Sequence, residues 1–232
     1  MKPLLIIVPA YNEEGAITGV VKEINQTMPG IPILVIDDCS TDGTRNLAYA
    51  SGAHVLPLPH HLGLGGCVQA GYKLAFELGF EYVIRVDGDG QHDARGIPVV
   101  LEKLKTSGSQ MVIGSRFANG SGNYSSATRG LGIQLFRMIL RPILGRPVTD
   151  LTSGFVGVNR EALALFSRSF PLEYPEIEAL VVLQRKRFRF EEVACEFRPR
   201  ATGQSSITAR KSMRYMVHVM LGVLVNILRK GR

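Results

Sequence analysis

Five apolar runs of strand length, at residues 4–8, 31–36, 53–58, 82–86 and 111–114, recur along the first half of the chain with segments of helical length between them. Alternation of strand, helix and strand restricts the fold to an α/β domain with a mostly parallel sheet and helices on both faces. Parallel neighbours need long crossover connections, and helices supply them. Further strands are expected at 155–158 and 189–197, with helices starting at Arg160 and near Glu173, the second running to about Arg187.

In an open sheet of this kind ligands bind beyond the carboxyl ends of the strands, so the residues after each run carry the functional information. The buried run 82–86 empties into Asp87-Gly88-Asp89-Gly90-Gln91-His92. Two carboxylates one residue apart converge on one hard divalent cation, Gln91 adds a third oxygen, and the two glycines allow a tight turn with room for a phosphorylated ligand. Taken alone, the motif reads equally well as a solvated acidic turn.

The run 31–36 ends in Asp37-Asp38-Cys39-Ser40-Thr41-Asp42-Gly43-Thr44. Such a turn caps a helix over 45–51, but one cap does not need two adjacent carboxylates, and a carboxylate here commonly accepts from a ribose hydroxyl or base N–H. After the first run, Pro9-Ala10-Tyr11-Asn12-Glu13-Glu14 leads into a helix to about Met28 with acids in its first turn. The segment 61–66, His-Leu-Gly-Leu-Gly-Gly, opens a helix through Phe76 but lacks the dinucleotide-binding GxGxxG spacing and follows the third strand, so a nicotinamide cofactor is not expected. His60 and His61 have no third ligand at metal spacing and read as loop histidines. No GxxxxGK[ST] loop is present, which excludes a P-loop nucleotidase. A sugar nucleotidyltransferase would carry a Gly-rich, Arg-bearing loop after the first strand, where this chain has Pro-Ala-Tyr-Asn-Glu-Glu.

With 232 residues and 45% hydrophobic content the chain has enough apolar side chains for a sizeable core. Cys39, Cys67 and Cys195 lie far apart without a CxxC spacing, which indicates neither a disulfide framework nor a zinc site and fits a reducing cytosol. The opening residues do not form a signal peptide pattern. Net charge is +7 but uneven: residues 185–232 hold 12 Lys/Arg against 3 Asp/Glu, and the first 184 hold 15 against 17. A basic tail selects an anionic partner. Its charges are interleaved with Met, Val and Leu rather than with base-stacking aromatics, so an acidic lipid surface is expected and nucleic acid is not.

Residues 117–128 are small and polar, a lid or a surface turn. Arg129 opens a helix to about Leu144, interrupted at Pro142 and carrying Arg137 and Arg141. The loop from Arg198 to Ser206 spaces arginines and hydroxyls as a phosphate site does. A final helix, 212–230, has an apolar stretch at 217–228, short of the roughly 20 residues that span a bilayer. With basic residues at both ends it suits either the headgroup region or a homo-oligomer interface.

Pro9 to Glu14, Asp37-Asp38-x-Ser40-Thr41-Asp42-Gly43-Thr44, Asp87-x-Asp89-x-Gln91-His92, Gly114-Ser115-Arg116, Thr152-Ser153-Gly154-Phe155 and Arg200-x-x-Gly203-x-Ser205 occur in this order. Together they resemble family 2 glycosyltransferases of the GT-A fold, a Rossmann-like α/β architecture, most closely the dolichol-phosphate mannose synthase-like branch. The resemblance spans about residues 4–207, giving a GT-A domain over 1–207 and a basic amphipathic C-terminal helix over 208–232. It implies a nucleotide-sugar donor whose nucleoside pocket is lined by Pro9, Tyr11, Glu13, Asp37 and Asp38. It implies Mg²⁺ or Mn²⁺ on the donor diphosphate, held by Asp89 and Gln91, with Asp87 toward the ribose or the metal. Arg116, Arg129 and Arg200 would meet donor or acceptor phosphates. The chain departs from the branch at Ser206, where lysine is usual, and at His61, where asparagine is common.

Breaking the bond between anomeric carbon and phosphate builds negative charge on the leaving diphosphate and oxocarbenium character on the sugar. A phosphate acceptor is already anionic and needs arginines to position it, whereas a hydroxyl acceptor needs a carboxylate base. Glu176 and Glu178 are the candidates for that base, and they read equally well as acids complementing a helix dipole. The expectation is a metal-dependent, inverting transfer of sugar to a polyprenyl-phosphate or other lipid-linked acceptor by a cytoplasmic protein, peripheral at the inner face of the plasma membrane. The alternatives are transfer to a saccharide hydroxyl in cell-surface polysaccharide assembly and a non-catalytic membrane-surface nucleotide-binding module.

Overall fold

A computed structural model of the chain describes residues 2–118 and 137–199. Arg129, Arg200, most of the expected 117–128 loop, the tail helix and the boundary at 207/208 lie outside the described residues.

Strands β1 (Lys2–Ala10), β2 (Ile33–Asp37), β3 (His54–Pro57), β4 (Phe80–Arg85), β5 (Met111–Ser115), β6 (Val156–Val158) and β7 (Phe190–Ala194) form one sheet in the order β3-β2-β1-β4-β6-β5-β7. The helices are α1 (Ile17–Thr27), α2 (Thr44–Ala50), α3 (Gly63–Glu77), α4 (Gly96–Thr106), α5 (Arg160–Arg168) and α6 (Pro175–Arg185), with residues 137–144 also helical. The expected α/β class and mostly parallel sheet are what the chain adopts.

The two-residue period of a strand sorts β1 between two cores. Leu5 and Ile7 face the side covered by α3, α5 and α6, together with Leu34, Ile36 and Val83. Leu4, Ile6 and Val8 face the side covered by α1 and α4, together with Ile33, Val35 and Ile84. A strand apolar on both faces is what a central parallel position demands. Helix α1 answers with Ile17, Val20, Val21 and Ile24 buried at i, i+3, i+4 and i+7.

Strand order places the ligand crevice. From β1 the chain steps outward to β2 and β3, then returns to set β4 on β1's other side, so strand order reverses between β1 and β4. The crevice of an open sheet lies at such a point, beyond the strand ends. Among the described strands only β6 is antiparallel; it pairs with both β4 and β5 and runs against them. Its first residues therefore sit beside the last residues of its neighbours, Val156 opposite Arg85 and Ile113. That reversal carries the Asp150 to Phe155 segment into the crevice.

Two local expectations are corrected. Helix α1 has no acid in its first turn. Glu13 and Glu14 precede it, because the Glu14 carboxylate reaches across to accept from the Gly43 N–H at 2.8 Å. Pro142 does not interrupt its helix, which runs to 144 before Gly145 at φ 68°. Leu140 and Leu144, both buried in the larger core, hold the helix despite the hydrogen bond proline removes.

Candidate active site

The nucleoside side of the crevice is made by the loops after β1 and β2, laced together by side chains that bond the opposite backbone. Asn12 N–H donates to Ser40 Oγ at 3.0 Å, Thr41 N–H to Asn12 Oδ1 at 2.8 Å, and Glu13 N–H to Thr44 Oγ1 at 2.8 Å. Asn12 and Cys39 take left-handed backbone, φ 54° and 64°, which few non-glycine residues adopt and which surrounding bonds must hold.

Asp37 is 0% exposed; its carboxylate accepts from Ser40 N–H at 3.1 Å and pairs with Arg45 at 2.9 Å. Asp38, 3% exposed, accepts from Leu62 N–H at 2.7 Å and lies 3.0 Å from His61 Nδ1. The acid pair thus shapes the wall. The groups at the rim are the exposed Tyr11 and His61 rings, centroids 4.1 Å apart; His61 lies in a loop, and its ring also meets Asp38. Pro9 is buried in β1, and its carbonyl lies 3.1 Å from where a side chain on Gly88 would begin, so a larger residue there would push the two turns apart by a few tenths of an ångström.

The metal side is the turn after β4. Asp87 Oδ1 accepts from Arg85 Nε at 3.0 Å and lies 2.9 Å from Arg85 Nη2, and Asp87 N–H donates to His92 Nδ1 at 3.1 Å. That bond leaves the ring proton on Nε2, which faces Asp87 Oδ2 at 3.6 Å. Burial pushes the Asp87 carboxyl up, but Arg85 and then His92 and Arg116 outweigh it, holding it below the ordinary carboxylate value. Burial dominates for His92 and lowers its pKa, so the imidazole is neutral at pH 7. Asp89 Oδ1 accepts from Gln91 N–H at 3.1 Å, which folds the turn so that Asp89 and Gln91 lie at the half-exposed surface.

The donor set suits a hard divalent cation. Among the described residues no three His, Cys, Asp or Glu side chains form a metal cage. Two carboxylates and an amide oxygen on one turn are what Mg²⁺ or Mn²⁺ takes when substrate phosphates complete the shell. Gly154 fits the same cradle: a Cβ there would lie 2.2 Å from Asp87 Oδ2.

The phosphate side is basic and aromatic. Arg116 Nε and Nη2 grip Asp150 at 2.8 and 2.9 Å, and Asp150 is in turn fixed by its own N–H bond to Glu192 Oε1 at 2.8 Å. The Arg116 guanidinium lies 5.0 Å from the Phe197 ring and 5.7 Å from the Phe117 ring, with Arg137 5.2 Å from the other partner of that pair, Phe117. Arg198 holds the chain leading toward residue 200 by pairing with Glu23 at 2.7 Å and Asp93 at 2.8 Å.

Glu176, in the first turn of α6, bonds Arg85 Nη2 at 3.0 Å, and Glu178 is 8% exposed. The structure brings Asp87, Asp89, Gln91 and Glu176 to the end of β4, with Pro9, Tyr11, Glu13, Asp37 and Asp38 alongside at the ends of β1 and β2 and in the loops that follow them. Arg85, His92, Gly154 and Asp150 were not foreseen as partners. A cation within a buried apolar run, two residues before an acid, was the available signal for Arg85, since such a charge demands a partner.

Acid-ended strands meeting at a switch point, with Arg116 after β5 anchored on Asp150 ahead of the antiparallel strand, are the arrangement of a GT-A fold. Residues 5–166 match the family described as Glycosyl transferase family 2, and the chain belongs to it. It is 29% identical over 217 residues to undecaprenyl-phosphate mannosyltransferase of Micrococcus luteus, covering 88% of this chain and 87% of that one. It is 30% identical over 166 residues to polyprenol monophosphomannose synthase of Mycolicibacterium smegmatis, 68% of this chain and 62% of that one. The fold matches that of glucosyl-3-phosphoglycerate synthase from Mycobacterium tuberculosis in complex with Mn²⁺, uridine diphosphate and phosphoglyceric acid. The TM-score is 0.74 at 22% identity, over 100% of this chain and 80% of that one. The protein is a glycosyltransferase of the dolichol-phosphate mannose synthase-like branch.

Proposed function

We propose that the protein transfers a sugar, with inversion, from a nucleotide-sugar donor to a polyprenyl-phosphate acceptor presented at an anionic membrane surface. The observation that carries this reading is the convergence, at one end of β1, β2 and β4, of an acid-lined nucleoside wall, a two-carboxylate turn and an arginine–aromatic cluster. The relatives named for polyprenyl and undecaprenyl phosphates support the acceptor class.

Tyr11 and His61 offer ring faces to the base, with Asp38 bracing His61, and Asp37 and Glu13 hold the loops that carry them. Asp87, Asp89 and Gln91 would hold Mg²⁺ or Mn²⁺, which supplies Lewis-acid neutralisation of the leaving diphosphate. Arg116 stays protonated at all working pH values and keeps one edge against Asp150, which fixes its fork; together with Arg137, Arg129 and Arg200 it suits an anionic acceptor. A phosphate nucleophile needs no deprotonation, so these residues orient it for attack on the anomeric carbon. Glu176, already bonded to Arg85, is poorly placed as a base.

Among the described residues no helix is long and apolar enough to cross a membrane. The basic stretch 185–232 is proposed to bring the enzyme to the cytoplasmic face of the plasma membrane, with a homo-oligomer as the competing use of the tail. The test offers labelled nucleotide sugars to the protein with undecaprenyl phosphate in anionic vesicles. Label extracted with the lipid, and lost on chelation, is expected. Label moving only to saccharide hydroxyls, with the lipid phosphate untouched, would overturn the acceptor assignment.

A further inference from the structure

Arg85 is 3% exposed on the second strand of a central parallel pair, where apolar residues are the norm. A guanidinium placed there loses its hydration and recovers it only through partners. One carboxylate partner is local, Asp87 two residues on at 2.9–3.0 Å, and the other, Glu176 at 3.0 Å, comes from α6, 91 residues away. Replacing a buried pair of this kind with packed apolar side chains usually leaves stability unchanged or raises it, so stability alone does not account for the arrangement.

What the arrangement does settle is the direction of the Asp87 carboxylate. Oδ1 is held inward by two nitrogens of one rigid fork, and Oδ2 is left toward His92 Nε2, with 29% of the Asp87 side chain exposed. Segment 152–155 closes over the same atoms, since a Cβ on Gly154 would meet Arg85 Nη2 at 2.7 Å as well as Asp87 Oδ2 at 2.2 Å. His92 is itself clamped, stacked on Phe155 with centroids 5.1 Å apart and edge-on to Phe197 at 5.0 Å.

We infer that Arg85 and Glu176 are positioning residues for the metal turn: Glu176 holds Arg85, and Arg85 holds Asp87 with one oxygen inward and one oxygen toward the cation. Glu176 then acts through Arg85 and takes no proton from an acceptor. This rests on the metal-dependent reading of the Asp87–Asp89 turn, and the experiment separates the two.

Mn²⁺ binding in the presence of UDP or GDP is followed by loss of the free-ion spin resonance signal, for the wild type, Glu176→Gln, and the double variant Arg85→Met with Glu176→Leu. The double variant removes Arg85 together with its buried partner Glu176 and leaves Asp87, whose side chain is 29% exposed, so it is expected to stay folded and to melt above Arg85→Met alone. Both variants are expected to bind Mn²⁺ at least tenfold more weakly than wild type, and the turnover of Glu176→Gln is expected to recover at high Mn²⁺ with an unchanged pH profile. Wild-type Mn²⁺ affinity in the folded double variant overturns the positioning role. So does a Glu176→Gln enzyme that binds Mn²⁺ normally but loses the acid limb of its pH profile, which is the mark of a base. No Mn²⁺ binding by the wild type with either nucleotide overturns the metal reading and this inference with it.

Discussion

The two halves of the crevice are built in opposite ways. The nucleoside half consists of two turns, 10–14 and 37–44, that satisfy each other's backbone through short polar side chains. The metal half is one turn, 86–93, held from behind by a buried cation, a neutral imidazole, the Glu176 carboxylate from α6 and the Arg198 guanidinium from beyond β7. Backbone N–H bonds to loop side chains are individually modest, about 1 kcal/mol to a neutral acceptor and about 1.5–3 kcal/mol to a carboxylate such as Glu14 or Asp42, and are lost one at a time. A buried charge network fails abruptly, because removing one member strands the others. The nucleoside half should therefore tolerate substitution by degrees, and the metal half should not.

The largest effect is expected at the exposed end of the metal half. Asp89→Ala should lower metal-dependent kcat on the order of 100-fold or more while melting as wild type does, since it removes charge stabilisation and not core. Full activity in a folded, still metal-requiring Asp89→Ala enzyme would remove Asp89 from the site. Next comes Arg85→Met alone, which leaves Glu176 and Asp87 facing a cation no longer present. Urea unfolding should show a loss of about 3–5 kcal/mol, larger than that of the double variant, which strands Asp87 alone.

In the nucleoside half, Asn12→Ala removes the acceptor for Thr41 N–H and leaves alanine in left-handed backbone. The expected cost is about 2 kcal/mol in the same unfolding experiment, smaller than for Arg85→Met. An equal or larger loss would erase the distinction between the halves. The smallest effect concerns thiols. Burial pushes Cys67, under the nucleoside half, up to about 12 and Cys195, behind the metal half, up to about 11. Raised thiol pKa values mean little thiolate at pH 8 and a reactivity that climbs with pH, so iodoacetamide should label native Cys39 well ahead of either. Equal labelling of all three, read by mass spectrometry, would mean that neither core excludes the reagent.

The same contrast governs how much could be read from the sequence. All seven strands were legible, because strand length and apolar content are local properties, and so was each acidic turn, because the motif residues are contiguous. The direction of β6 was not, since a three-residue apolar run carries no sign of whether it enters the sheet parallel or reversed. Asp87 and Asp89 were found, but not what holds Asp87: Glu176 is 91 residues from its partner Arg85, and only folding joins them. Glu176 looked like a base or a dipole-complementing acid because a first-turn glutamate reads that way locally. His61 was set aside for want of metal ligands, while its partners are a carboxylate and a ring on other loops.

The measurement closest to the central claim is calorimetric titration of a panel of nucleoside diphosphates, UDP and GDP foremost, into the intact protein with Mn²⁺ and again with a chelator. Binding of at least one nucleotide is expected with Mn²⁺, at least tenfold weaker under chelation and equally weakened by Asp89→Ala. Nucleotide binding that is the same with and without the metal and unchanged in Asp89→Ala would contradict it.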